Sequence, residues 1–177
     1  MPVESILNAK AITFTVRAVC EHDLDAIMRI QAECYPPSMQ EPEEVVLSRI
    51  RTAADTSFVA IDGDVVSAYV FGYPSRLGAA APLNSRFVVP ANANTLYIHD
   101  LAVSRAGSGL ARRLVARIVE RATERGLANC ALVSVQDSLA FWERFGFQTE
   151  PAPGPELRAA LESYPGNALY MIRSLDA

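Results

Sequence analysis

A glycine-containing loop that opens directly into a helical pattern is the stretch of this sequence best suited to chemistry. The loop is Gly107-Ser108-Gly109, and apolar residues recur at helical spacing after it. The first N–H groups of a helix lack partners within the helix and lie at the positive end of its dipole, so they can bind an anion such as a phosphate. Small residues let the anion approach the backbone. The residues whose N–H groups are expected to bind it are Ser108, Gly109, Leu110 and Ala111.

The strand that precedes this loop carries one of the two histidines of the chain. His99 lies in the segment 95–103, where apolar residues occupy both alternating faces. Such a run is typical of a central strand that is covered on both sides. An imidazole titrates near neutral pH, so His99 is a candidate general base. Its neighbour Asp100 either orients the ring or simply pairs within the sheet, since successive residues of a strand point to opposite faces.

The composition indicates one compact domain. The chain has 177 residues, 50% of them hydrophobic, and a formal net charge of −4. No run of Lys or Arg stands out, so nucleic acid is not an expected partner. The apolar runs are too short for a membrane span, and the start of the chain lacks the pattern of a secretory signal. The three cysteines are widely spaced, which argues against disulfides and against a metal site. We expect a single cytoplasmic domain over residues 1–177.

Periodicity predicts a mixed order of strands and helices. The predicted strands cover 13–18, 57–61, 65–71, 95–103, 130–135 and 168–173. The predicted helices cover 23–33, with Asp23 as the cap, 42–51, 110–125, 138–145 and 156–162. Residues 72–94 show no regular pattern and contain three prolines. A loop of this length in a small domain is often functional, so it either faces a substrate or is a surface excursion.

Three phrases make the sequence resemble the GCN5-related N-acetyltransferase family. They are Leu101-Ala102-Val103 at the end of a strand, the loop 106–111 (AGSGLA), and the segment 141–147 (FWERFGF). Within that family, YIHDLAV and FWERFGF look most like the arylalkylamine N-acetyltransferase branch and its bacterial relatives. The resemblance implies an α/β fold: a mixed, mostly antiparallel sheet flanked by helices on both sides, with central strands that splay apart.

The resemblance also implies an activity. The expected enzyme transfers an acetyl group from acetyl-coenzyme A to a primary amine, by direct attack in a ternary complex. The expected acceptor is a small aryl- or alkylamine. Two alternatives stay open: a non-catalytic acyl-coenzyme A binding or sensing module, and an acetyltransferase for protein amino groups. A phosphate-binding α/β domain unrelated to coenzyme A is a weaker alternative, and the formation of a homodimer is left open.

Contacts with acetyl-coenzyme A are likewise implied residue by residue. The main chain at Leu101 and Val103 is expected to bond the pantetheine. The full set of expected cofactor-binding residues is Leu101, Ala102, Val103, Arg105, Gly107, Ser108, Gly109, Leu110, Ala111, Arg112, Arg113, Ser138 and Trp142. The loop departs from the family pattern, because Ala106 stands where the family has Arg or Gln. Either the neighbouring Arg105 takes that role, or the N–H groups act together with the two arginines of the helix that follows.

The expected catalytic residues are His99 and Tyr97. In the arylalkylamine branch two histidines, two residues apart on this strand, act as the base; His99 matches the second and Tyr97 the first. His99 is the expected base or water relay. Trp142 stands where the family often has a Tyr that protonates the leaving thiolate, and an indole N–H lacks that acidity. Water or another hydroxyl (Ser138 or Tyr164) then supplies the proton, or the thiolate leaves unassisted, or the domain binds acyl-coenzyme A without efficient turnover.

Candidates for the acceptor pocket are aromatic and apolar residues near proline turns. They are Tyr35, Pro36, Met39, Tyr73, Pro74, Phe87 and Tyr97. Three acidic residues are candidates to attract a cationic amine: Glu33, Glu41 and Asp100. The sequence does not select among them.

Overall fold

One mixed sheet divides the molecule into two helical layers. In the computed structural model, which describes residues 14–104 and 108–175, seven strands form this sheet. The strands are β1 (Phe14–Ala18), β2 (Phe58–Asp62), β3 (Val65–Ser75), β4 (Thr95–Val103), β5 (Asn129–Ser134), β6 (Gln148–Thr149) and β7 (Leu169–Ser174). The α-helices are α1 (Leu24–Cys34), α2 (Glu43–Ala53), α3 (Leu110–Glu124), α4 (Leu139–Glu143) and α5 (Pro155–Glu162). The α/β class predicted from the sequence is confirmed.

The sheet is antiparallel except at its centre. Its strand order is β1-β2-β3-β4-β5-β7-β6, and β4 with β5 is the parallel pair among the described strands. The last strand in the chain therefore lies between β5 and β6. The mostly antiparallel sheet implied by the resemblance is confirmed.

Each face of the sheet buries its own apolar layer. One layer contains Ile50 of α2 and Leu157 of α5, and the other contains Leu114 of α3. Strand β4 contributes to both, since Tyr97 lies in the first layer and Ile98 in the second. A strand that is covered on both faces must be apolar on both, which is why its sequence predicted a central position.

Helix α3 begins at a glycine in an unusual conformation. Gly109 is its N-terminal cap, with φ of 79°, in the left-handed region that glycine adopts without a side-chain clash. Residues one helical turn apart then face the sheet, and the buried ones are Leu110, Leu114, Val115, Ile118 and Ala122. The chain after the loop is thus fixed as a helix whose first turn lies beside the end of β4.

Strands β4 and β5 separate at their carboxyl ends, as the resemblance implied. Their parallel pairing ends at Ile98 and Leu132. Beyond this point β4 continues along β3, while β5 continues along β7. The pairing of β3 with β4 skips His99, because Phe71 lies opposite Asp100 and the next residue of β3 lies opposite Ile98. A bulge of this kind bends a strand, and here it lies where β4 separates from β5.

Several local predictions differ from the structure. Asp23 does not cap α1 through its side chain; it accepts two hydrogen bonds of 2.7 Å from Arg17 and one of 2.9 Å from the N–H of Cys20. Strand β3 runs on to Ser75, and β6 was not predicted.

None of the helices in 14–104 and 108–175 is long and apolar enough to cross a membrane.

Candidate active site

The separation of β4 from β5 opens a cleft beside Leu101-Ala102-Val103, the segment that was predicted to contact the pantetheine. The cleft has a volume of about 220 Å³ and reaches from the end of α1 to α4. Six of its lining residues were predicted as catalytic or cofactor-binding residues: His99, Leu101, Val103, Ala111, Ser138 and Trp142. Ala102 is buried on β4 beside them.

Main-chain groups of β4 face this cleft. The N–H of Ser104 bonds across to β3 at 2.9 Å. Hydrogen-bonded pairs alternate along an antiparallel ladder, so the N–H and C=O groups of Leu101 and Val103 point away from β3 and toward the side that β5 has left. The carbonyl oxygen of Val103 accepts a bond from the Cys34 thiol (3.3 Å), and that of Leu101 lies 3.0 Å from the hydroxyl oxygen of Tyr35. The N–H groups of Leu101 and Val103 are therefore the donors that the cleft offers to an amide-containing ligand.

A wider cleft of about 680 Å³ continues from the first one past the start of α3. It is lined by Gly109 and by two arginines, Arg112 and Arg144, and shares Ala111 and Phe141 with the first cleft. Two guanidinium groups beside the N-terminus of a helix suit a phosphorylated ligand. Arg144 was not predicted, although it lies within FWERFGF.

The remaining predicted cofactor residues are placed differently. The guanidinium of Arg113 lies over the ring of Phe14, 5.4 Å from its centre, and so faces β1. Ser108 and Leu110 flank Gly109, and the side chain of Leu110 is buried in the core. Arg105 and Gly107 lie outside the described residues.

His99 lies where the bulge of β4 meets the cleft. Its side chain is only 2% exposed. The Nε2 atom is 3.2 Å from Oε2 of Glu41, and Nδ1 is 3.5 Å from the hydroxyl oxygen of Tyr164. The edge of the Phe87 ring also contacts the imidazole, with 5.4 Å between ring centres. The imidazole is thus held from three sides by residues that are distant in sequence.

Glu41 is the buried carboxylate of this cluster. It receives both terminal nitrogens of Arg49, the N–H of Asn84 at 2.8 Å and the ring of His99. Burial raises the pKa of Glu41, but the hydrogen bonds and charges of His99 and Arg49 outweigh burial and lower the pKa to about 2. The carboxylate is therefore ionised at neutral pH. The sequence offered Glu41 only as one of three acidic candidates.

Asp100 bonds tyrosines instead of His99. Its two oxygens accept hydrogen bonds from the hydroxyls of Tyr35 (2.5 Å) and Tyr69 (2.6 Å). Burial raises the pKa of Asp100, and the two tyrosines oppose that effect. The suggestion that Asp100 orients His99 is therefore wrong, because both of its carboxylate oxygens are bonded to the tyrosines.

The geometry does not favour a catalytic role for Tyr97. Its side chain is fully buried, its hydroxyl has no hydrogen-bond partner in the described part of the chain, and it is not among the residues that line the cleft. Burial raises the pKa of Tyr97 well above its usual range, so the phenol stays protonated.

A small cavity joins the cleft on the far side of His99. It has about 30 Å³ and is lined by Tyr35, Met39, Glu41 and Tyr164, among others. This is room for one or two water molecules, and its walls carry the polar groups that hold water. Leu83 also lines it, so the long loop before β4 contributes to the site.

An open groove lies next to this cavity. It has about 320 Å³ and shares Met39 with the cavity and Gln136 with the cleft. Gln136 and Asp137 both have positive φ, 52° and 55°, which is uncommon outside glycine and frequent at functional sites. Of the predicted acceptor residues, Met39 and Pro36 line the groove.

Hydroxyl groups that could act in place of the missing family tyrosine are present. The Oγ atom of Ser138 is 3.0 Å from that of Ser134, and Ser138 lines the cleft one helical turn before Trp142. The hydroxyl of Tyr164 instead donates to the carbonyl of Ala81 at 2.7 Å. Among the described residues, no group of three or more His, Cys, Asp and Glu side chains is placed to hold a metal ion.

Comparison with known families identifies this arrangement. The model of the Acetyltransferase (GNAT) family matches residues 24–147, which include α1, β4, α3 and the whole cleft. The chain belongs to the acetyltransferase (GNAT) family. Members of the GNAT family transfer acyl groups from acyl-coenzyme A to amines. No match was found among curated proteins.

Solved structures agree with the GNAT fold. The ribosomal-protein-S18-alanine N-acetyltransferase of Escherichia coli is similar with a TM-score of 0.66 at 15% identity, over 93% of this chain and 96% of that one. PaiA N-acetyltransferase of Thermoplasma acidophilum, solved with coenzyme A, gives 0.67 at 12%, over 92% and 99%. The GNAT-like decarboxylase GphF, solved with isobutyryl-coenzyme A, gives 0.71 at 15%, over 91% and 99%. These comparisons support the family but not the arylalkylamine branch.

Acetyl-coenzyme A is the acyl donor, and the GNAT cleft described above fits it. The donors at Leu101 and Val103 suit the amides of pantetheine, and the start of α3 with Arg112 and Arg144 suits phosphates. The residues suited to bind acetyl-coenzyme A thus lie along the two connected clefts.

Proposed function

We propose that this protein is an N-acetyltransferase for a small primary amine, with His99 as its base. The observation that carries the proposal is the position of His99: its imidazole is bonded to an ionised carboxylate and lines both the acyl-donor cleft and the small cavity that adjoins it. An alkylamine is cationic at neutral pH, so a base must remove a proton before the nitrogen can attack.

The ring of His99 would take that proton through water. Its side chain is almost fully enclosed, and the adjoining cavity of about 30 Å³ has room for a water molecule between the ring and an incoming amine. When bound, acetyl-coenzyme A supplies the thioester carbonyl that the amine nitrogen attacks. The N–H groups of β4 face the same cleft and would polarise that carbonyl.

The size of the space beside His99 supports a small acceptor. The cavity next to Met39 and Tyr164 has about 30 Å³, which the relay water occupies, so it leaves no room for a bulky acceptor group. The open groove beyond it favours a second candidate, a protein amino group, because a peptide could lie between Pro36 and Asp137. The third candidate is a module that binds acyl-coenzyme A without turnover. Trp142 favours it, because it replaces the family Tyr that protonates the leaving thiolate.

One assay separates these three candidates. Release of free thiol from acetyl-coenzyme A is measured with 2-phenylethylamine, n-butylamine and a short peptide that has a free amino terminus. Turnover of the small amines supports the proposal, turnover of the peptide alone supports the protein acetyltransferase, and tight binding of acetyl-coenzyme A without thiol release from any acceptor supports the binding module.

The role of His99 is tested by its pH–rate profile. We expect His99→Gln to lower kcat by about 10²- to 10⁴-fold, the usual contribution of a positioned base, and to remove an inflection from the pH–rate profile. His22→Gln is the matched control, since His22 is exposed and remote from the cleft. An unchanged profile in His99→Gln would contradict the assignment.

A further inference from the structure

We infer that Glu41 is a positioning residue for His99: it holds the ring in the tautomer that carries its proton on Nε2 and leaves Nδ1 able to accept one. The inference rests on the proposed function, because a positioning role presumes that His99 takes a proton. Glu41 lies between α1 and α2, outside all the motifs that the sequence singled out.

The first step is the direction of the hydrogen bond between the two side chains. Oε2 of Glu41 lies 3.2 Å from Nε2 of His99. The same carboxylate is bonded by the guanidinium of Arg49, and its low pKa leaves it ionised. An ionised carboxylate can only accept hydrogen bonds. Nε2 must therefore be the donor, and the neutral ring has its lone pair on Nδ1.

The second step concerns what faces Nδ1. The hydroxyl oxygen of Tyr164 is 3.5 Å from it, and that hydroxyl donates its single hydrogen to the carbonyl of Ala81. The oxygen therefore presents lone pairs to Nδ1 and offers it no hydrogen. A proton taken up on Nδ1 gains an acceptor in Tyr164, while the carboxylate stabilises the positive ring from the other side.

The third step is that Glu41 itself cannot swing away. Its backbone is fixed by Gln31, whose side chain donates to the carbonyl of Glu41 at 2.9 Å and accepts from its N–H at 3.0 Å. Its partner Arg49 also donates to the carbonyl of Ser85 at 2.6 Å and lies 4.8 Å over the ring of Phe87. The carboxylate is thus held by α1, α2 and the loop before β4 together.

Among the polar groups around the imidazole of His99, Glu41 is the one that sets the tautomer. Glu41 and Arg49 are neutral as a pair, and Asp100 is engaged by two tyrosines. The titratable and charged groups that surround His99 from the elements packed against it are Glu41, Arg49, Tyr35, Tyr97, Asp100 and Tyr164.

The tautomer can be observed directly by NMR. Long-range ¹H–¹⁵N correlation spectra of the imidazole are recorded on the full chain carrying His22→Gln, so that His99 is the single histidine that reports. At a pH where the ring is neutral, we expect a pyrrole-like Nε2 and a pyridine-like Nδ1. A ring protonated mainly on Nδ1, or an equal mixture, would overturn the inference. This result does not depend on turnover, so it stands apart from the test of the proposed function.

Kinetics then test what the positioning does. Glu41→Gln should lower kcat by about 10- to 100-fold, a part of the 10²–10⁴ that a positioned base supplies, with the KM for acetyl-coenzyme A unchanged. Glu41→Gln leaves Arg49 buried without a partner, so the double variant Glu41→Gln, Arg49→Met is measured beside it. Glu44→Gln, an exposed carboxylate of α2, is the control.

The same variants separate positioning from a purely structural role. A folded double variant should lose the Nε2-protonated tautomer and shift the inflection of its pH–rate profile, whereas Glu44→Gln should keep both. A double variant that keeps the tautomer, the profile and kcat would show that Glu41 serves the fold alone. Absence of thiol release with every acceptor, in the unaltered protein, counts against the proposed function and leaves the NMR result to decide on Glu41.

Discussion

Replacing Arg49 with Met should destabilise the protein by several kcal/mol, because it leaves a buried carboxylate without its cation. The side chains of Arg49 and Glu41 are 1% and 4% exposed. Removing one partner of a buried ion pair costs about 3–5 kcal/mol. The pKa of Glu41 lies at about 2 instead of 4.5, because His99 and Arg49 together overcome burial, so the carboxylate is still charged at pH 7.

Thermal unfolding at pH 7 measures this loss. For a chain of this size each kcal/mol lowers Tm by about 2–4 °C, so Arg49→Met should unfold about 6–20 °C below the unaltered protein. Arg51→Met is the matched control on the same helix: Arg51 pairs with Glu21, and both side chains are more than half exposed. An exposed pair contributes about 0–1 kcal/mol. A fall in Tm for Arg49→Met no larger than that for Arg51→Met would refute the reasoning.

Two further measurements check that unpaired charge is the cause. Adding Glu41→Gln to Arg49→Met removes the charge and should recover part of the lost stability. The folded pKa of Glu41 is depressed, so its stabilising effect is complete above pH about 4.5 and disappears as the pH falls through about 2. Without Arg49 that pKa rises, and the gap to the unaltered protein should narrow as the pH is lowered from 7 to 4.

Three other substitutions are predicted. Gly72→Ala should cost about 1–3 kcal/mol in chemical denaturation, because its Cβ would lie 2.6 Å from a side-chain carbon of α3 and 3.2 Å from a main-chain oxygen of β4. Gly154→Ala, with no atom within 4 Å, should cost less than about 1 kcal/mol; equal losses would contradict this. Arg144→Gln should weaken acetyl-coenzyme A binding about tenfold or more by calorimetry, unlike Arg158→Gln. Trp142→Tyr should raise turnover if a missing phenol limits it, and equal turnover would remove that explanation.

The donor side of the site was predictable because its signals are local in sequence. The apolar strand, the glycine-started helix and FWERFGF each carry their own periodicity or turn chemistry, and they are consecutive in the chain. Their order alone places Leu101, Ala111 and Trp142 around one cleft. The departure at Ala106 suggested that other arginines take part, and Arg144 lines the wider cleft.

The acceptor side was not predictable, because it is assembled from distant segments. Glu41 lies 58 residues from His99 in sequence, and Tyr164 lies 65 residues from it on the other side. No periodicity marks either one, since Glu41 sits in a loop and its burial depends on Arg49. Asp23 failed as a cap for a similar reason: an arginine of β1 competes for its carboxylate. The two-residue strand β6 is too short to show alternation.

The place of β7 in the sheet has a consequence for how the chain folds. Strands β5 and β6 are joined through β7, and β7 supplies Tyr170 to one apolar layer and Met171 to the other. Until residues 169–174 have been synthesised, one edge of the central parallel pair lacks its neighbour and both layers lack a wall. Unpaired strand edges promote association between chains. A ribosome-bound chain that stops short of residue 169 should therefore remain dependent on chaperones, even though every residue of the acyl-donor cleft has already been made.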